Sequence, residues 1–183
     1  LYGFDLSATS KAGYTGYKKA IDILSNQDEY DINMLAMPGV IKALHPLVTN
    51  AGIDMCEERG DALALVDLAN VYVPWAEQYI ADPANRRATT PTQAANALKD
   101  RRIDSSYGAT FYPWVQTQDE ETGQPVWIPP SVAMLGTLGS SQASSQVWFA
   151  PAGFNRGGLS DGAAGIPVAN VSERLVSKDR DTL

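Results

Sequence analysis

The sequence predicts an α/β fold: a mixed sheet with a βαβ core and flanking helices, plus an antiparallel hairpin in the second half. Three observations lead there. Two apolar runs, Ile32 to Met37 and Ala62 to Leu68, bracket a helical stretch that opens on Pro46. A β-rich segment, Ser106 to Gln118, is followed by a polar loop and a second β-rich segment. Between these parts the chain is punctuated by Pro and Gly where elements are expected to stop.

The elements are justified in order. Leu1 to Gly13 is small and polar and reads as an entry loop. From Thr15 to Ser25, Tyr17, Ala20, Ile21 and Leu24 fall at helical spacing, with Lys18, Lys19 and Asp22 facing out. Ser25-Asn26-Gln27-Asp28 ends that helix with turn chemistry. Asp31 to Met37 is a nearly continuous apolar run closed by Pro38-Gly39, the pattern of a strand buried on both faces. Pro46 suits a first helical turn, where its missing N–H has no partner to lose. The helix runs through Leu47, Val48, Ala51 and Met55 to Arg59, and Gly60 stops it. Strand, helix and strand within about forty residues form a βαβ unit.

Val71 to Ala88 is irregular. Thr90 is placed to cap a helix whose first turn takes Pro91, with Ala94, Ala95, Leu98 and Arg102 carrying it on. Ser106 to Gln118 has high β propensity through Tyr107, Thr110, Phe111, Tyr112, Trp114 and Val115. Asp119-Glu120-Glu121-Thr122-Gly123 is a hairpin loop, and Gln124 to Ile128 returns as a strand. Pro129-Pro130-Ser131 starts a helix through Met134, Leu135 and Leu138, in which Gly136 and Gly139 either weaken the helix or admit close packing. After Ala150 the chain is rich in Gly, Ala and Asn up to Val171.

Composition excludes several function classes. The 183 residues are 44% hydrophobic, enough for a core, and carry a formal net charge of −7. An acidic chain has no general attraction for phosphate backbones or anionic lipid, so neither nucleic acid nor a membrane is expected as partner. The single cysteine, Cys56, rules out an internal disulfide and any Cys-x-x-Cys metal spacing. His45 is the only histidine, stands before Pro46, and has no G-x-S-x-G motif to serve. One His and one Cys do not make a zinc site. Gly153, Gly157, Gly158, Gly162 and Gly165 match neither a P-loop nor a dinucleotide fingerprint. Asp67, near the end of the second strand, lies where open α/β sheets tend to bind ligands, but it also suits a turn cap or an arginine partner. No catalytic, cofactor or metal residue is assigned, and no cofactor is expected.

The remaining chemistry is that of surfaces. Arg86, Arg87, Arg101 and Arg102 suit carboxylate pairing within the domain or across an interface, and with Asp119, Glu120 and Glu121, which offer the opposite sign, they are the interface candidates. Tyr107, Phe111, Tyr112, Trp114, Trp127, Trp148 and Phe149 gather in the second half, as core or as interface core.

The order of short motifs is specific. Asp104-Ser105-Ser106-Tyr107, Tyr112-Pro113-Trp114-Val115, Thr122-Gly123 and Val126-Trp127-Ile128-Pro129-Pro130-Ser131 come first. Ala150-Pro151-Ala152-Gly153 and Asn155-Arg156-Gly157 follow. With Asp28 to Asn33, Pro38-Gly39, Glu58-Arg59-Gly60-Asp61 and the closing Lys178 to Leu183, this order resembles the tail sheath protein of contractile-tailed bacteriophages. The resemblance runs from about Thr15 onward. Val132 stands where that family usually carries glycine, and Ser140 to Gln146 is unusually rich in Ser and Gln.

The resemblance implies a structural, non-enzymatic virion subunit, assembled in the host cytoplasm. Its partners would be neighbouring copies in hexameric rings stacked helically, the tail tube protein, and baseplate and terminator proteins. Terminal arms would add strands to a neighbour's sheet, and contraction would drive the tube through the host envelope. By this reading residues 1–14 are an entry linker or the remnant of a preceding domain. Residues 15–183 are the sheath core, an internal piece without its terminal arms and so monomeric by itself. Alternatives are the sheath of a type VI secretion or related injection system, an α/β hydrolase or nucleotide-binding domain using Asp67, and a virion-decorating module.

Overall fold

Residues 5–42, 44–68, 90–99 and 103–183 are described by the computed structural model. Among them the chain is mixed α/β and divides into two compact units. The first holds residues 1–70, 89–110 and 178–183, and the second holds 71–88 and 111–177. The irregular stretch expected from Val71 to Ala88 lies outside the described residues.

The first unit is built on helix α1 (Ala12–Leu24), strand β1 (Met34–Ile41), helix α2 (Pro46–Arg59) and strand β2 (Leu63–Asp67). β1 and β2 pair in parallel, Met34 opposite Leu63 and Ala36 opposite Leu65, so α2 is the crossover of a βαβ unit as expected. Strand β3 (Gly108–Phe111) completes a sheet of order β1–β2–β3. Helix α3 (Pro91–Lys99) also belongs to this unit. Its entry is a capping box. The Thr90 hydroxyl accepts the Gln93 N–H at 3.3 Å, and the Gln93 side chain accepts the Thr90 N–H at 3.0 Å.

The core of this unit is Ile21, Leu35, Val48, Ile53, Met55, Cys56, Ala64 and Val66, with Tyr14, Tyr17 and Tyr107 packed against it. Each fully buried large aliphatic chain contributes about 1.5–3 kcal/mol relative to exposure. Leu6 joins that core, and α1 begins at Ala12 rather than Thr15, so part of the expected entry loop is packed structure.

β1 also differs from expectation. Pro38-Gly39 does not end the strand, which continues to Val40 and Ile41, both buried. The pairing register shifts between Ala36 and Ile41, and Gly39 takes a φ of 84° that side-chain-bearing residues rarely adopt. Proline, which lacks a donor, and a left-handed glycine are the residues an interrupted ladder accommodates.

Arg59 at the end of α2 is the main polar tie of the unit. Its side chain is 1% exposed. The guanidinium donates to both carboxylate oxygens of Asp61 at 2.8 Å, to the Leu24 carbonyl at 2.5 Å and to the Tyr30 carbonyl at 2.9 Å. Gln27 in turn donates to the Arg59 carbonyl. One side chain thereby joins the end of α1, the loop before β1, and the turn into β2. Gly60, at φ 73°, provides the left-handed helix stop beside it.

The second unit contains β4 (Val115–Gln118), β5 (Pro125–Ile128), helix α4 (Pro130–Ser144) and β6 (Val168–Val171). β4 pairs antiparallel with both neighbours, giving the order β5–β4–β6. The expected hairpin is present, with Val115 opposite Ile128 and Gln118 opposite Pro125. The single β segment expected from Ser106 to Gln118 is instead divided, β3 in one sheet and β4 in the other. Pro113 falls at the break, where a residue without an N–H cannot extend a ladder. A short helix, α5 (Ser177–Thr182), closes the described chain.

α4 packs on the glycine-rich segment. A Cβ on Gly136 would stand 2.0 Å from the Ala164 carbonyl oxygen, whereas Gly139 faces open space. Close approach is therefore the role of Gly136. The small core it permits is Val115, Ala133 and Ala164, with Ile128, Leu159, Ile166 and Val168 against it.

Two stability outcomes follow. Arg59→Ala should lose about 2–4 kcal/mol in urea unfolding, because it strands two carbonyls and an ion-pair partner at once. Gly136→Ala should destabilise by about 2 kcal/mol or more even though alanine is the better helix former by about 1 kcal/mol, since backbone has to move. A stabilised Gly136→Ala protein in the same measurement would contradict the packing described.

Candidate functional site

The sequence directs attention first to the carboxylate end of the parallel strands. Asp67 ends β2 and is 2% exposed, and the backbone carbonyl of Asp67 accepts the Lys42 N–H at 2.8 Å. Lys42 is itself fully buried, and its ammonium donates to the Asn50 side chain on α2. Both residues are therefore buried.

His45 sits in the turn between β1 and α2. Its Nδ1 accepts the Ile41 N–H at 3.1 Å, its own N–H donates to the Ile41 carbonyl at 2.7 Å, and its carbonyl accepts the Thr49 hydroxyl at 3.2 Å. The backbone, at φ −124° and ψ 52°, departs from the extended shape that proline favours in the residue before it, because these bonds curl the turn back on β1. Burial holds the imidazole below its ordinary pKa. Cys56 is wholly buried, and burial pushes its thiol up, away from the reactive thiolate. Among the described residues no group of three His, Cys, Asp or Glu is arranged to hold a metal ion. No helix of the described residues is long and apolar enough to cross a membrane.

The surface candidates divide. Arg86, Arg87, Arg101 and Arg102 lie outside the described residues. Asp119, Glu120 and Glu121 form the β4–β5 loop, and their roles differ. Asp119 organises the loop. Its carboxylate accepts the Thr122 hydroxyl and the Glu121 N–H, and its carbonyl accepts the Gly123 N–H at 2.8 Å. The Thr122 hydrogen bond is the main cause of a lowered Asp119 pKa. Glu120 and Glu121 are exposed and make no ion pair among the described residues.

Sequence reasoning missed two surface features. One is β6, hidden in the stretch of Gly, Ala and Asn; its only signal was the pair of valines, Val168 and Val171. Among the described residues β5 and β6 are the two edges of their sheet, and a groove of about 420 Å³ runs along β6, lined by Leu159, Ser160, Asn170 and Arg174 among others. The other is the exposure of the aromatics after α4. Trp148 is 77% exposed and Phe154 95% exposed, unlike the half-buried Trp114 and Trp127. Position along the sequence did not distinguish them.

Neither the comparison with protein-family models nor that with curated proteins returns a match.

One pH dependence is expected from this geometry. An imidazole with a depressed folded-state pKa binds protons more readily once unfolded, so stability falls as pH drops through the ordinary histidine value of 6.5. His45 is the only histidine, so His45→Asn should flatten the melting temperature between about pH 7.5 and about pH 5.5. A wild-type melting temperature that rises on acidification across that window would contradict the assignment.

Proposed function

We propose that this chain is a structural subunit of a contractile tail sheath, which polymerises around a tube and contracts to drive it through a cell envelope. The reading starts from the ordered motifs that resemble bacteriophage tail sheath proteins. The observation that carries it furthest is the β6 edge with its adjoining groove. An edge strand offers a row of backbone donors and acceptors to an extended segment of another copy, and the groove has room for that segment's side chains.

Two further features support it. The βαβ unit has a continuous core and is tied by Arg59, which suits a body that is displaced without deforming. Of the groups that an enzymatic reading would use, His45 is bonded within its turn, and Asp67 and Cys56 are buried. Contraction would then draw on the difference between two sets of contacts among copies, with no bound nucleotide in the reading.

The protein expressed from its complete gene should form tubes of uniform width in negative-stain electron microscopy. Persistent monomers at every protein and salt concentration tried would defeat the proposal.

A further inference from the structure

The loop between α4 and the short turn at Leu159–Asp161 carries a cluster of exposed large apolar side chains. Val147 is 78% exposed, Trp148 77% and Phe154 95%. Apolar groups in such concentration on a soluble surface usually mark a contact. This loop is also held in shape. Trp148 stacks on Phe149 with ring centroids 4.2 Å apart, and the Arg156 guanidinium lies 4.0 Å over the Phe149 ring. Arg156 Nε donates to the Ser145 hydroxyl at 3.0 Å, the Phe149 N–H to the Gln146 carbonyl at 3.0 Å, and the Gly157 N–H to the Gly153 carbonyl at 2.8 Å. Exposed aromatics ordered before binding lose little entropy on docking, and Trp with Arg is the composition of interface hot spots.

Charge identifies the occupant. Arg156 makes no ion pair among the described residues, so the aromatic knob carries an uncompensated positive charge. On the same unit, the β4–β5 loop presents Glu120 and Glu121, exposed and likewise unpaired, on a turn fixed from within by Asp119. One copy therefore bears both halves of a complementary pair on two different segments.

We propose that the Trp148–Phe149–Arg156 knob of one copy docks against the Glu120–Glu121 loop of a second copy. Such a contact is heterologous, so each copy leaves one half free for the next and the chain of contacts extends instead of closing as a dimer. The proposal deepens the sheath reading and rests on its premise that copies of this chain assemble.

The test is a charge swap in the protein expressed from its complete gene, with self-association followed by sedimentation velocity and tubes scored separately by electron microscopy. Arg156→Glu alone, and Glu120→Lys with Glu121→Lys, should each raise the concentration needed for association about tenfold. Combining them should restore it to within about threefold of wild type. Trp148→Ser, at an exposed position with little bearing on folding, should weaken association similarly. Single variants that associate like wild type, or a combination no better than its parts, would overturn the contact. If Trp148→Ser has no effect, the knob is covered by something else and the proposal falls. Swap-sensitive association without tubes would leave the contact standing and remove the sheath reading. Tubes indifferent to the swap would do the reverse, and no association at any concentration would remove both.

Discussion

The first unit depends on one buried guanidinium. Arg59 ends α2, and from there it reaches the last turn of α1, the approach to β1 and the entry to β2. A planar fork with several fixed donors serves these partners together, which a lysine ammonium on a flexible stem does not. The arrangement is inexpensive because its carboxylate partner is not buried with it: the Asp61 side chain is 46% exposed, so only one of the two charges is fully removed from water. Tyr14, Tyr17 and Tyr107 pack against the core that these elements enclose.

That tie was only partly legible beforehand. The residues Arg59-Gly60-Asp61 read as a helix stop and a strand entry, which they are, but the carbonyls that Arg59 reaches lie far away in sequence and follow from tertiary packing alone. The elements that were legible share one property. Their signals are local: Pro46 and Gly60 at the ends of α2, Thr90 before Pro91, and a polar turn between two β-rich runs. The errors arose where a local signal had two structural solutions. Pro38-Gly39 marks a strand end as readily as an interruption within a strand, and pairing with β2 selects the interruption. Pro113 divides a run of high β propensity between two sheets, which propensity does not register. β6 was missed because four residues with only two valines are too short for any period to emerge.

The candidate surfaces followed the same pattern. Glu120 and Glu121 were visible as a charged loop, but Asp119 was indistinguishable from them until its hydrogen bonds fixed it as the organiser of the turn. The aromatic run of the second half contained core and surface members with the same composition. Trp114 follows a proline before a strand and Trp127 lies on an edge strand, while Trp148 follows a helix end, and only packing separates half-burial from exposure. Inside, the Arg59 guanidinium is fully engaged by the fold, whereas the buried Ser141 and Ser172 hydroxyls have no hydrogen-bond partner among the described residues.

Cys56 gives this architecture a built-in gauge of its integrity. It is the only thiol in the chain and has no accessible surface, lying among Val48, Ile53 and Ala64 in the βαβ core. A reagent that modifies it has entered only after that core opened, so where reclosing outpaces modification the rate, relative to that of a free thiol, reports the free energy of opening. A subunit that undergoes rigid displacement during a rearrangement keeps its thiol sealed throughout, while one that deforms exposes it. The same buried sulfur thus separates motion of the body from motion within it.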